Sequence, residues 1–156
     1  MSVIENKMKV VFDSKSENES FARVVAAAFI LSMDPTLEEM NDFKTAVSEA
    51  VTNCIIHAYE DKEGDVVMEM KKYTYTEPVD NHKGWIEVKI KDSGCGIVDV
   101  EKAMEPLYTT KPEEERSGMG FAFMEAFMDE LQCESVRDNG TTIYMKKYIK
   151  SSGGDN

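Results

Sequence analysis

Val47-Ser48-Glu49-Ala50-Val51-Thr52-Asn53 lies inside a run whose apolar residues return at helical spacing. Phe43, Val47, Ala50, Val51, Cys54, Ile55 and Ala58 form one stripe, which predicts an amphipathic helix from Asp34-Pro35-Thr36 to about Tyr59. At ~100° of turn per residue, Val47, Val51, Cys54 and Ala58 fall together while Glu49 and Asn53 point the other way. Residues four apart share a helix face, so that carboxylate and that amide are neighbours. A plain solvated face would give the same pattern. The functional alternative is that Asn53 offers an amide oxygen to magnesium, a hard ion that takes oxygen ligands in octahedral geometry. Glu49, one turn away, would then orient a hydroxyl or a water and take its proton. Ala50 and Thr52 leave room for a ligand beside them.

Two glycine-bearing segments downstream decide between these readings. Asp92-Ser93-Gly94-Cys95-Gly96 follows the apolar strand Trp85 to Ile90. Aspartate and glycine suit an ordinary turn, but Gly94 and Gly96 also let bare backbone approach a ligand closely. The Asp92 carboxylate can accept from an exocyclic amine, which adenine carries and guanine lacks at that position. Further on, Arg116-Ser117-Gly118-Met119-Gly120 opens another helix, expected from Gly118 to Leu131. A helix start presents unpaired N–H groups and a partial positive charge to an anion. It is not a Walker loop, because no Gly-Lys-Ser/Thr follows, and it belongs to no parallel βαβ unit of the dinucleotide type. Amide and carboxylate, then acid and glycines, then a phosphate-ready helix start make the order of an ATP site with magnesium.

The remaining segments frame that site. Lys7 to Phe12 reads as a strand, and Glu17 to Ser32 as a helix capped by Ser16 or Asn18. Gly64 to Tyr75 and Trp85 to Lys91 read as strands separated by a polar loop, Thr76 to Gly84, with His82 exposed in it. Asp99 to Met104 predicts a short helix, and the polar, proline-bearing stretch Glu105 to Ser117 a mobile loop. Gln132 to Arg137 and Thr141 to Tyr148 form a hairpin through Asp138-Asn139-Gly140. Strands that pair as hairpins and are split by helices favour an α+β fold, a two-layer α/β sandwich whose mostly antiparallel sheet is covered on one face by helices. Residues 1–150 are expected to form one domain, with 151–156 a disordered tail.

Composition sets the outer bounds. A chain of 156 residues buries roughly 70% of its unfolded surface and needs no structural metal or disulfide. The net charge of −12 argues against a nucleic-acid binder and allows a partner with a basic surface. Exposed charges are screened beyond about 8 Å, so local donors such as Lys111 and Arg116 outweigh distant acids at an anionic ligand. No apolar run approaches the ~18 residues of a membrane span. Cys54, Cys95 and Cys133 lack metal-ligand spacing and read as thiols in a reducing cytoplasm. His57 and His82 carry no chemistry in this reading, and the methionine-rich Phe121–Met128 run reads as core.

The three segments in this order resemble the N, G1 and G2 boxes of the GHKL (Bergerat-fold) ATPase superfamily. Ser16-Glu17-Asn18-Glu19-Ser20-Phe21-Ala22-Arg23, Pro106-Leu107-Tyr108-Thr109-Thr110-Lys111-Pro112, Met128-Asp129-Glu130 and Gly140-Thr141-Thr142 lie outside or beside those boxes. They resemble the anti-sigma-F factors of endospore-forming bacteria, and the likeness runs to about Lys150. It implies a serine/threonine-protein kinase that binds ATP with Mg2+ and holds sigma-F as a homodimer, with no direct contact to nucleic acid. It also implies that the kinase phosphorylates a serine of an anti-anti-sigma factor. In that pattern Glu49 is the catalytic base, Asn53 the magnesium ligand and Asp92 the adenine reader. Thr52, Gly94, Gly96 and Thr141 belong to the same nucleotide site. Thr109, Thr110 and Lys111 lie in the ATP lid, and Arg116, Ser117, Gly118, Met119 and Gly120 hold the phosphates. Arg23 matches a partner-contacting arginine. The Tyr73 to Gly84 segment is longer than that pattern has.

Overall fold

The computed structural model describes residues 2–59, 62–97, 100, 104 and 120–151. Strand β1 (Val3–Asp13) is followed by helices α1 (Glu17–Leu31) and α2 (Leu37–Asn53), the latter running on into a π-helical turn, Cys54–Ala58. Then come β2 (Asp65–Val79), β3 (His82–Asp92), α3 (Gly120–Phe127), β4 (Glu130–Val136) and β5 (Gly140–Lys150). The strands form one sheet in the order β1-β2-β3-β5-β4, antiparallel at every pairing. The α+β two-layer architecture read from the sequence is the one observed.

Alternation along the strands explains the layers. Val66, Met68 and Met70 of β2, Ile86, Val88 and Ile90 of β3, and Ile143, Met145 and Ile149 of β5 are all buried. They fall on one face because side chains alternate along a strand. Against that face lie Phe43, Ala46, Val47, Ala50 and Val51 of α2, also buried. Helix α2 packs against both α1 and α3. Each large side chain taken out of water contributes about 1.5–3 kcal/mol, so the α2 stripe anchors the helix layer. Its start is fixed by a capping box: the Thr36 hydroxyl accepts from the Glu39 N–H at 3.1 Å, and the Glu39 carboxylate accepts from the Thr36 N–H at 2.9 Å. The second oxygen of the buried Glu39 carboxylate accepts from the Lys150 N–H at 2.9 Å.

The other face of the sheet carries no helix among the described residues. It carries aromatic and charged side chains instead: Tyr73 stacks on Trp85 at 4.5 Å, and the Lys146 ammonium lies 5.0 Å from the Trp85 ring and 4.7 Å from that of Tyr148.

Three readings need correction. The expected polar loop Thr76 to Gly84 is a hairpin: β2 runs to Val79, β3 begins at His82, and Asp80 and Asn81 turn the chain at φ 51 and 64. A strand is possible through Pro78 because β1 pairing ends at Tyr75, so beyond it the proline has no second neighbour to donate to. His82, expected to be exposed, is half-buried and stacks on Tyr148 at 5.0 Å. The third helix is also shorter than expected at its end, because β4 begins at Glu130. Most of the predicted Asp99 to Met104 helix, the Glu105 to Ser117 loop and the tail after Ser151 lie outside the described residues.

Candidate functional site

Helix α2 presents Ser48, Glu49, Thr52 and Asn53 on the arc next to its buried stripe, and all four are half-buried. The stripe holds this arc in place, so Glu49 and Asn53 sit one turn apart on a rigid element. Ser48 donates to the carboxylate of Glu19 on α1, and Arg23, one turn further along α1, lies 3.8 Å from the same carboxylate.

After Asn53 the helix widens into the π turn Cys54–Ala58. Such turns recur at functional sites because they redirect side chains and carbonyls. Here the Cys95 N–H donates to the Ala58 carbonyl at 2.7 Å, and the Cys95 thiol to that of His57 at 3.3 Å. The acidic turn after β3 is thereby docked on the end of α2. Glycine is required for this approach: a Cβ on Gly94 would stand 2.0 Å from the Ala58 carbonyl oxygen. Gly96 adopts φ +77, and its Cβ would meet the Val136 carbonyl oxygen at 2.4 Å, so both glycines let the turn pack directly on neighbouring backbone.

Asp92 closes β3 with only 9% of its surface exposed. Its Oδ1 accepts from the Gly94 N–H at 3.0 Å and the Thr141 N–H at 3.2 Å. Burial pushes the Asp92 pKa above its ordinary value, while the Gly94, Cys54 and Thr141 donors pull it the other way. Burial, and then the neighbouring Asp92 charge, push the Cys54 thiol well up, and burial raises Cys133 to about 11. Cys54 and Cys133 are therefore neutral thiols rather than nucleophiles. Thr141 Oγ1 lies 2.9 Å from Ser135 Oγ, which accepts from the Ile97 N–H at 2.6 Å. Tyr59 spans the edge of the site, accepting from the Ser93 N–H at 2.8 Å and donating to the Asp65 carbonyl at 2.6 Å.

Of the residues read from the sequence, Asp92, Gly94, Gly96 and Thr141 converge, and the Cys95 bonds to Ala58 and His57 tie them to the turn that follows Thr52 and Asn53. Gly120 opens α3 and is half-buried. Thr109, Thr110, Lys111, Arg116, Ser117, Gly118 and Met119 lie outside the described residues. Sequence reasoning missed Cys54, Ser135 and Tyr59. Ser135 was findable, because the Asp138-Asn139-Gly140 turn puts it opposite Thr141 in register.

The groups present suit an adenine nucleotide. A buried acid at the end of a strand, held by two backbone donors, suits a base with an exocyclic amine. Asn53 provides a hard amide oxygen for magnesium, and no cluster of three or more His, Cys, Asp or Glu side chains that could hold a metal occurs among the described residues. A single protein ligand fits an ion whose other positions are filled by phosphate oxygens and water. A separate cleft of about 510 Å3, lined by Met104 and by residues from Glu125 to Gln132, has an acidic rim that does not suit a polyphosphate. No described helix is long and apolar enough to cross a membrane.

Comparison with known proteins agrees with this geometry. The model of the histidine kinase-like ATPase domain family matches residues 12–147. An anti-sigma F factor of Clostridium novyi is 56% identical over 146 residues, covering 94% of this chain and 96% of its own. One from Caldanaerobacter subterraneus is 56% identical over 144 residues, covering 92% and 94%. One from Clostridium kluyveri is 54% identical over 148 residues, covering 94% and 97%. Among solved structures, the crystal structure of the RsbU and RsbW domains of a Mycobacterium tuberculosis protein superposes with a TM-score of 0.61 at 15% identity, covering 92% of this chain and 32% of that one. At that identity the likeness is one of fold.

Proposed function

The chain belongs to the histidine kinase-like ATPase domain family and, within it, to the anti-sigma F factors, and from that premise we propose that it is an ATP-dependent inhibitor of sigma-F that also acts as a serine kinase on an anti-anti-sigma protein. ATP binding follows from the family. The observation that carries the reading is the junction of Asp92, the Gly94 and Gly96 backbone and the end of α2. One helix leaves the base-reading acid and carries the two groups phosphoryl transfer needs.

In this reading Asp92 accepts from the adenine amine, with Thr141 beside it. Asn53 would hold Mg2+, which would supply positive charge to offset that of the phosphates. Thr109, Thr110, Lys111 and the segment Arg116 to Gly120 close over the phosphates. Phosphoryl transfer runs through a loose transition state, so alignment and charge do most of the work. Glu49 orients the incoming serine hydroxyl and takes its proton late, an effect of about 10²–10⁴ in rate.

The partner surface is assigned to α1 and β1. Phe21 and Val24 flank Arg23 and are 63% and 64% exposed. Ile4 on β1 is 63% exposed, and β1 is an edge strand. Unpaired strand edges and exposed apolar side chains favour association. We assign this region to homodimer formation and sigma-F contact, in a cytoplasmic regulator of sporulation whose residues 1–150 act as one ATP-binding kinase domain. The test is incubation with labelled ATP, magnesium and the serine-bearing antagonist. Label on that serine supports the kinase, label released only as free phosphate makes it an ATPase, and label on a histidine of this chain overturns the reading.

A further inference from the structure

A helix leaves its last carbonyls without partners of its own, and a cation placed there also meets the negative end of the helix dipole. In α3 that need is met from the sheet. The Lys147 ammonium of β5 donates to the carbonyl of Phe127, the last residue of α3, at 2.7 Å, and it lies 4.0 Å from the Asp42 carboxylate on α2. The Lys147 side chain is 12% exposed, so water competes little for this bond. One ammonium thus ties the end of α3 to the first half of α2 and to β5. The other end of α3 is Gly120, about 10 Å away at 1.5 Å per residue. On α2, Asn53 lies about three turns beyond Asp42. The two helices that bear nucleotide groups in the reading above are therefore fastened to one another at a point away from those groups.

We propose that Lys147 is a positioning residue for the triphosphate: by holding Phe127 to β5 and α2, it sets how far α3 reaches toward phosphates whose magnesium is carried by Asn53. A short helix moves as one body, so a slip at Phe127 displaces Gly120 with it. The field of a helix start acts only over its first turn, and a displacement of about 1 Å is enough to spoil alignment at a reacting group. The sheet supplies its own control. Lys72 of β2 clamps α1 in the same way, donating to the Phe29 carbonyl at 3.0 Å and to the Ser32 hydroxyl, but α1 supplies no group to the nucleotide in this reading.

The inference rests on the ATP reading of the site, and two measurements keep them apart. Calorimetric titration with ATP in magnesium compares wild type, Lys147→Met, Lys147→Arg and Lys72→Met. Affinity is expected to fall about fivefold to tenfold in Lys147→Met. Lys147→Arg keeps the charge and the donors, Lys72→Met loosens the other helix, and both should stay within about twofold of wild type. Unchanged affinity in a folded Lys147→Met overturns the proposal. An equal fall in Lys147→Arg or in Lys72→Met overturns it too, because packing or general stability would then be what the nucleotide senses. If Lys147→Met does not fold, Lys147→Gln, one bond shorter and uncharged, reads the same loss. The second measurement uses no nucleotide: amide hydrogen exchange across Phe121–Phe127. Faster exchange there in Lys147→Met than in Lys72→Met supports the clamp, and equal exchange overturns it whatever the nucleotide does. A wild-type chain that binds no ATP overturns the ATP reading instead.

Discussion

The Asp92 end of the site and the α2 face that carries Glu49 are built differently. Around Asp92, which is buried with Thr141 while Ser135 is half-buried, hydrogen bonds run between elements, through Gly94, Thr141, Ser135, Ile97 and the end of α2. Around Glu49 and Asn53, side chains are half-buried, and rigidity comes from the apolar stripe on the other side of the same helix. The first region is a knot of long-range hydrogen bonds and the second is a rail. A knot fails as a unit when one strand is cut. A rail can lose a side chain and keep its shape. Recognition and chemistry are therefore separable by mutation in one direction only.

The sharpest way to break this contrast is Glu49→Ala. Serine phosphorylation should fall by about 10²–10⁴ while ATP affinity, measured by calorimetry, stays within about twofold of wild type. A parallel loss of affinity would merge the two regions.

Gly94→Ala addresses the knot. Its Cβ would stand 2.0 Å from the Ala58 carbonyl oxygen, and that atom is backbone, so the loop must lift off α2. A loss of about 3 kcal/mol in denaturant unfolding is expected, with ATP binding lost as well.

Asp92→Asn separates the acid's role in binding from its role in stability. The amide oxygen still accepts from Gly94 and Thr141, while the adenine amine loses its anionic partner. ATP affinity should drop at least about tenfold without a fall in thermal midpoint. Burial raises the Asp92 pKa, so the folded chain holds this proton more tightly than the unfolded one. Stability then declines as pH rises through the window from the ordinary carboxylate value to the raised one, and the cost is full above it. The stability advantage of Asp92→Asn should thus be largest at neutral pH and shrink on acidification, as thermal melts at a series of pH values would show.

The smallest effect belongs to Ser48→Ala, which cuts the tie to Glu19 beside the Glu49 face. About 1 kcal/mol of stability should be lost with ATP affinity unchanged. Loss of affinity here would show that α1 and the nucleotide are coupled through Ser48.

The rail was legible in the sequence and the knot only in part. Spacing alone places Phe43, Val47, Ala50 and Val51 inside and Glu49 and Asn53 on one arc, because helical period is a local property. Asp92, Gly94 and Gly96 stood out because turn chemistry is local too. The Cys95–Ala58 hydrogen bond joins residues from different elements, and no local rule marks the end of a helix as the partner of a distant turn. The hairpin at Asp80-Asn81 was hidden by Pro78 and by polar composition, which suit a loop equally well until the end of β1 pairing is known. The π turn after Asn53 was likewise invisible, since its residues continue the helical stripe.

Glu39 makes the start of α2 and the end of β5 interdependent. It caps the helix with one carboxylate oxygen and receives the last residue of the strand with the other. Tags fused beyond Ser151 leave that clasp intact, whereas trimming β5 by one residue would strand a buried anion at the foot of the helix that bears the catalytic face. The point at which an expressed chain is cut, ordinarily chosen for solubility, would in this protein tune the setting of the α2 face that carries Glu49 and Asn53.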